Sequence, residues 1–243
     1  MKPTFDSFRT TNNADFDVNK EIMTKLSDFF KTLDDEERDN LMQRMTARWY
    51  QPSELIYGEG ETPRQLFCLL SGKVKIFKEG VGRSQTVRIL QAVEYFGYRA
   101  AMSQQQFITA ASAYEESFIV KFPLALVKKY IQENARLAWF FIQRLATALG
   151  RSDERTVSLT QKHLRGRLAD SILYLYECYG TQPDGHTLAC SLSREDLANL
   201  SNMTTNNAIR TLSQFATDGV VTLDGRTIRI ESLATLHQIS KRG

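Results

Sequence analysis

From Glu21 to Met45 the apolar residues Met23, Leu26, Phe29, Phe30, Leu33, Leu41 and Met42 recur at helical spacing, and Asp34 to Glu37 suit the acidic start of a second helix. From Trp49 to Phe122 the texture changes to short alternating runs. These are Leu66 to Leu70, Val74 and Ile76 interleaved with Lys73 and Lys75, Val87 and Ile89 flanking Arg88, and Phe118 to Phe122. Glycines at 58, 60, 72, 80, 82 and 97 punctuate them, which predicts a compact antiparallel barrel or roll.

After Pro123 no further proline appears before about Thr160 and only Gly150 interrupts, so one long helix is predicted over 123–160. Ala138, Ile142, Leu145, Leu149, Ser152, Thr156 and Leu159 are spaced alternately four and three along it, a heptad seam. The stripe either meets the same helix of a second copy or packs on the barrel of its own chain. A second apolar face at Leu137, Trp139, Phe140 and Phe141 can serve the barrel, which leaves Ile142, Leu145, Leu149, Ser152 and Thr156 for a parallel two-fold homodimer.

Beyond His163, residues Leu164, Leu168, Ile172, Leu173 and Tyr176 mark a helix ending near Gly180, and 181–186 is a turn. Ser193 stands three residues before Asp196 as a capping hydroxyl, and Leu197, Ala198 and Leu200 follow as a short buried helix. Asn202 tolerates the left-handed conformation that reverses the chain. Thr204 caps a second helix through Thr205, Asn206, Asn207, Ile209, Arg210, Leu212 and Phe215. Val220 to Leu223 and Thr227 to Ile230 flank Asp224-Gly225, a hairpin signal with Arg226 at its tip. A helix-turn-helix followed by a hairpin is a winged helix.

These signals divide the chain into a loose leader over 1–20, a helical entry and β-roll over 21–122, a dimerisation helix over 123–160 and a winged helix-turn-helix over 164–243. The fold class is α+β.

The 243 residues are 42% hydrophobic and 24% charged, enough for folded domains with real cores. No stretch has the apolar length of a membrane span, and the first 21 residues lack an apolar signal core, so a cytoplasmic protein is expected. Cys68, Cys178 and Cys190 form no CxxC pair, and no histidine precedes His163. No metal, iron-sulfur cluster or haem is therefore expected, and no nucleophile-base pair suggests an enzyme. The net charge of +3 does not decide a function by itself. Local charge is more telling: no acidic residue lies between Asn199 and Thr217, a surface that a phosphate backbone would accept. Asn206 and Arg210 share a helix face and are of types that pair with adenine and guanine edges. Arg194 and Arg226, at a helix start and a wing tip, are assigned to phosphate.

In this order, a roll, a seam helix and a winged helix-turn-helix closely resemble the cAMP receptor protein and fumarate-nitrate regulator (CRP/FNR) family over roughly Leu55 to Ile230. The specific matches are Gly58-Glu59, Leu69 to Val74 around Gly72, Phe96-Gly97, Gly166-Arg167 and Ser193-Arg194. The resemblance implies a cyclic-nucleotide-binding-like sensor domain and a regulator of transcription. Its partners would be double-stranded DNA, a second copy of itself and RNA polymerase.

The departures from the family pattern are also specific. In cyclic-nucleotide members the glycine matching Gly97 is followed by a ribose-holding Glu, where this chain has Tyr98. Their phosphate-binding Arg-Ser pair becomes Ile108-Thr109, which keeps the hydroxyl and loses the cation, with Arg99 or Arg88 as substitutes. A buried phosphate without a paired cation is costly, so cAMP is not expected to bind. The Thr-Ser pair that reaches the nucleobase across the dimer becomes Ser152-Asp153. Ser152 either lines the effector pocket with Gly97, Tyr98, Arg99, Thr109 and Asp153 or fixes seam register. The recognition-helix pattern Ser-Arg-Glu-Thr becomes Thr204-Thr205-Asn206-Asn207 with Arg210 kept, so a different target sequence is expected. Two other readings remain: a sensor whose C-terminal domain contacts protein, and a cyclic-nucleotide-dependent regulator with a rearranged pocket.

Overall fold

A computed structural model describes residues 14–80, 82 and 84–243. The chain forms two compact units, one built from the chain up to Lys78 with Arg88–Ala148, the other from Glu79–Val87 with Leu149–Gly243. Of the leader expected over 1–20, residues 1–13 lie outside the described residues, and from Ala14 onward the chain is helical.

Three helices open the first unit: α1 (Ala14–Lys25), α2 (Ser27–Phe30) and α3 (Asp35–Arg44). The acidic run at 34–37 starts α3 through a reciprocal cap. Asp34 Oδ1 accepts from Glu37 N at 2.8 Å and Glu37 Oε2 accepts from Asp34 N at 3.0 Å. Eight strands follow: β1 (Thr46–Tyr50), β2 (Leu55–Tyr57), β3 (Gln65–Ser71), β4 (Val74–Glu79), β5 (Ser84–Leu90), β6 (Glu94–Phe96), β7 (Ala110–Ala113) and β8 (Ser117–Pro123), with a short helix α4 (Tyr98–Met102) between β6 and β7. They form two four-stranded sheets, ordered β1-β8-β3-β6 and β2-β7-β4-β5, the roll that the alternation predicts.

Alternation along β3 sends Leu66, Cys68 and Leu70 to a core shared with the helices, together with Tyr95, Phe118, Val120 and Phe122. Phe29 sits among Phe30, Tyr95, Phe122 and Phe140, with ring centroids 5.3 to 5.7 Å apart. On the other face of β3, Phe67 meets Phe96 and Tyr57, and Tyr57 stacks on Phe107 at 3.8 Å. Gly97 turns the chain there with φ +81°. A Cβ at Gly97 would lie 2.7 Å from the Phe67 ring, so both conformation and space demand glycine.

The helix expected over 123–160 is two helices, α5 (Leu124–Glu133) and α6 (Ala135–Gln161). Pro123 precedes the first turn of α5, and Asn134, at φ −123° and ψ 104°, breaks the chain between them. Asn134 Oδ1 accepts from Arg136 N and Leu137 N and so caps α6. Its amide donates to Thr32 O at 2.9 Å and Glu37 Oε2 at 2.7 Å. Asn134→Ala removes both roles. It is expected to cost about 1 to 2 kcal/mol, read as a lower denaturant midpoint with an unchanged m-value.

Two seam expectations change as well. Leu145 is half-buried and packs against the core, whereas Trp139, assigned to the barrel, is 59% exposed. Leu137, Phe140 and Phe141 are buried as expected. The exposed apolar stripe of α6 is therefore Trp139, Ile142 and Leu149, continued by Ala146 between them and by Thr156 and Val157.

In the second unit α7 (Leu164–Tyr179) buries Leu168, Ile172 and Leu175. It is followed by α8 (Arg194–Leu200), α9 (Thr205–Thr217), the hairpin β9 (Val221–Asp224) and β10 (Thr227–Ile230), and α10 (Leu233–Arg242). Their core includes Leu197, Ala198, Leu200, Met203, Ala208, Leu212, Phe215, Ile228 and Leu236.

Candidate functional site

The reversal between α8 and α9 is built from short local signals. Ser193 Oγ accepts from Asp196 N at 3.0 Å to cap α8, and Thr204 Oγ1 accepts from Asn207 N at 3.3 Å to cap α9. Asn202 takes φ +50°, the left-handed residue the turn requires. Ala198 and Ala208 are fully buried. Their small size allows the two helices to approach closely.

Longer side chains then pin the turn by its carbonyls. Arg167 Nη1 donates to Asn202 O at 2.9 Å, and Gln85 donates to Asn199 O. Arg155 donates to Leu200 O at 2.8 Å and to Thr86 O and Val87 O at 2.8 and 2.9 Å. Burial holds the Arg155 guanidinium below the usual arginine range. Its three carbonyl partners take up three of its five N–H donors without neutralising its charge.

Buried Ala208, Thr211, Leu212 and Phe215 fix one face of α9, so Asn206, Ile209, Arg210 and Ser213 are exposed on the other. Arg210 Nη2 donates to Asn207 Oδ1 at 3.3 Å, one turn back along the helix. Thr204 spends its hydroxyl as the cap, and Thr205 is half-buried beside it. At the wing, Asp224 pairs with Thr227, so the two-residue turn is Gly225-Arg226, with Gly225 at φ +54°. Arg226 is exposed. Arg194, assigned to phosphate, is turned onto this wing: Nη2 donates to Gly225 O at 2.6 Å. Burial lowers the Arg194 pKa, and its Nη1 is buried without a hydrogen-bond partner.

Residues 166–239 match the Crp-like helix-turn-helix domain, and residues 47–134 match the cyclic nucleotide-binding domain. The chain belongs to the CRP/FNR family. It is a CRP/FNR-type transcription regulator with a helix-turn-helix DNA-binding domain, and not an enzyme. The CRP-like cAMP-activated global transcriptional regulator of Mycobacterium tuberculosis is 25% identical over 177 residues, covering 72% of this chain and 79% of that protein. The cyclic AMP receptor protein of Thermus thermophilus is 26% identical over 221 residues, covering 89% and 98%. The fold matches FixK2 from Bradyrhizobium japonicum with TM-score 0.72 at 22% identity, covering 80% of this chain and 96% of that one.

Within the first unit of this CRP/FNR regulator the residues assigned to an effector pocket differ in their surroundings. Tyr98 is buried in the core with its ring 5.3 Å from Phe141, and burial raises its phenol pKa. Ile108 is 63% exposed. Arg88 pairs with Glu94. Arg99 is exposed, and Thr109 hydrogen-bonds Tyr57, whose phenol burial pushes up to about 12. Ser152, Asp153 and Thr156 are exposed on α6.

Sequence reasoning missed Tyr57, although its place two residues before Glu59 in a glycine-rich turn was visible. An open groove of about 530 Å³ also reaches Tyr57. Tyr50, Phe67 and Phe107 line it with Arg48, Arg64 and Lys121. Arg48 is spent on Glu54 at 2.7 Å and on the Tyr50 ring. Among the described residues no group of three or more His, Cys, Asp or Glu could hold a metal ion, and no helix is long and apolar enough to cross a membrane.

Proposed function

We propose that the protein is a homodimeric regulator that binds a two-fold-related DNA site and does not respond to cAMP. The exposed face of α9 carries this reading: Asn206 and Arg210 stand side by side on a helix whose surroundings from Asn199 to Thr217 hold no carboxylate. Such a face suits the major groove, with Asn206 and Arg210 on base edges and Arg226 on the backbone. Arg194 serves by holding the wing turn at Gly225 and so setting where Arg226 reaches. The apolar stripe Trp139, Ile142 and Leu149 on α6 supports the dimer, because three large exposed hydrophobics at heptad-like spacing suit the same helix of a second copy. RNA polymerase is the further partner that family membership suggests.

The names of both relatives speak for a cyclic nucleotide, and the residues of this chain speak against one. Tyr98 is committed to the core, Ile108 supplies no cation, and the charge of Arg88 is satisfied by Glu94. Titration of the protein with cAMP in a calorimeter is expected to show binding no tighter than about millimolar, the strength of a non-specific contact. A micromolar isotherm would overturn this part of the reading and assign Arg99, beside Tyr57 and Thr109, as the phosphate cation.

A further inference from the structure

One side chain on the DNA-facing surface of α9 has no polar role. Ile209 is 45% exposed and, among the described residues from Leu164 onward, is the single large apolar side chain that stands exposed. A scattered exposed hydrophobe is ordinary, so its neighbours decide its meaning. On an ideal helix Asn206 and Ser213 run along the middle of the outer face, with Arg210 about 40° to one side and Ile209 about 60° to the other. Ile209 therefore belongs to the same strip as the two residues assigned to base edges, one turn from each end of it.

β-branching makes isoleucine a poorer helix former than alanine or the long polar residues that ordinarily fill solvent-facing positions. Nothing within the second unit covers it. The surrounding strip is free of carboxylates from Asn199 to Thr217, which suits a duplex better than an acidic protein surface. In the major groove the apolar feature on a base edge is the C5-methyl group of thymine.

We infer that Ile209 is a specificity-determining residue that packs on a C5-methyl group of a pyrimidine, selecting thymine over cytosine at one position of each half-site. This rests on the reading of α9 as the recognition helix. It extends that reading from hydrogen-bonded bases to a methyl group, and it makes binding sensitive to cytosine methylation: 5-methylcytosine offers Ile209 the same group in the same place.

The test uses the full chain and the DNA sequence it selects from a random pool, with each thymine replaced in turn by deoxyuridine in both half-sites. This exchange removes the methyl group and leaves every hydrogen bond intact. Burying one methyl corresponds to about fourfold in affinity per half-site, or about fifteenfold for the symmetric site. That loss is expected at one symmetric position in the stretch that α9 covers. Ile209→Ala should bind the thymine and uracil forms equally at that position, while Arg210→Ala keeps the uracil penalty and loses its guanine preference. Placing cytosine there should weaken wild-type binding, and 5-methylcytosine should recover part of the loss. If wild type binds the uracil sites as tightly as the thymine site, or Ile209→Ala retains the full penalty, the assignment is wrong although the protein reads DNA. If no duplex is bound in a salt-dependent way, the DNA-binding reading itself fails.

Discussion

Leu149→Asp and Ile142→Asp are each expected to convert the proposed dimer into a folded monomer. Both side chains are more than half exposed in the single chain, at 64% and 51%, so a carboxylate there leaves the protomer's own core untouched. In a parallel two-fold pairing of α6 the same carboxylate would be buried facing its symmetry mate. Each unpaired buried charge costs about 3 kcal/mol or more, and symmetry presents it twice. The sum weakens dimerisation by roughly 10⁴-fold. Sedimentation velocity at a concentration where wild type is dimeric checks this, with thermal unfolding as the control for folding. DNA affinity should fall in parallel, since two half-sites joined in one particle gain an effective concentration that a monomer lacks. Leu145→Asp is the instructive contrast: Leu145 packs on the core, so that change should unfold the first unit. An unchanged dimer for both Leu149→Asp and Ile142→Asp would show that α6 is not the interface.

Arg210→Ala should weaken binding by about 1 to 3 kcal/mol per half-site and relax the preference at one guanine. The side chain is exposed, it hydrogen-bonds Asn207 on the same helix, and its loss disturbs no buried group. Asn206→Ala should relax an adenine position. Arg226→Ala differs in kind, because a phosphate contact carries no sequence information. It should weaken all sequences alike and reduce the salt slope by about one unit per half-site. Base preferences selected by Arg210→Ala that equal those of wild type at every position would mean that α9 docks in another register, with Thr205 or Asn207 at the base edges.

The parts of the fold written in local signals were legible from sequence. Capping hydroxyls at Ser193 and Thr204 and a left-handed Asn202 each act within a few residues of themselves and occur where their pattern indicates, while the hairpin turn expected at Asp224-Gly225 lies one residue on, at Gly225-Arg226. The roll was legible because short apolar runs are punctuated by glycines, and a run such as Leu66 to Leu70 in β3 is a strand buried on both faces. What failed depended on distant partners. Asn134 breaks the helix because its amide reaches Thr32 and Glu37, about a hundred residues earlier, and no local breaker announces that. Trp139 and Leu145 exchanged roles because a heptad pattern and a straight helix drift apart by about 20° per repeat. Two neighbouring stripes then fit almost equally, and the aromatic cluster around Phe29 selects the one turned inward. Tyr98 stood in a family position for ligand contact, and its ring is used by the core instead. The helix α10 was missed, although Ser232 capping Thr235 and the spacing of Leu233, Leu236 and Ile239 mark it.

Selection of bound DNA from a random pool by the wild-type protein is the direct test of two-fold, sequence-specific binding through α9. The expected product is an inverted repeat whose half-sites lie one helical turn, about 10 to 10.5 base pairs, or a multiple of it apart. Each half-site should contain a guanine and an adenine preference, and affinity should fall linearly with salt on logarithmic axes. A pool that enriches no sequence, or only an isolated half-site without symmetry, would contradict it.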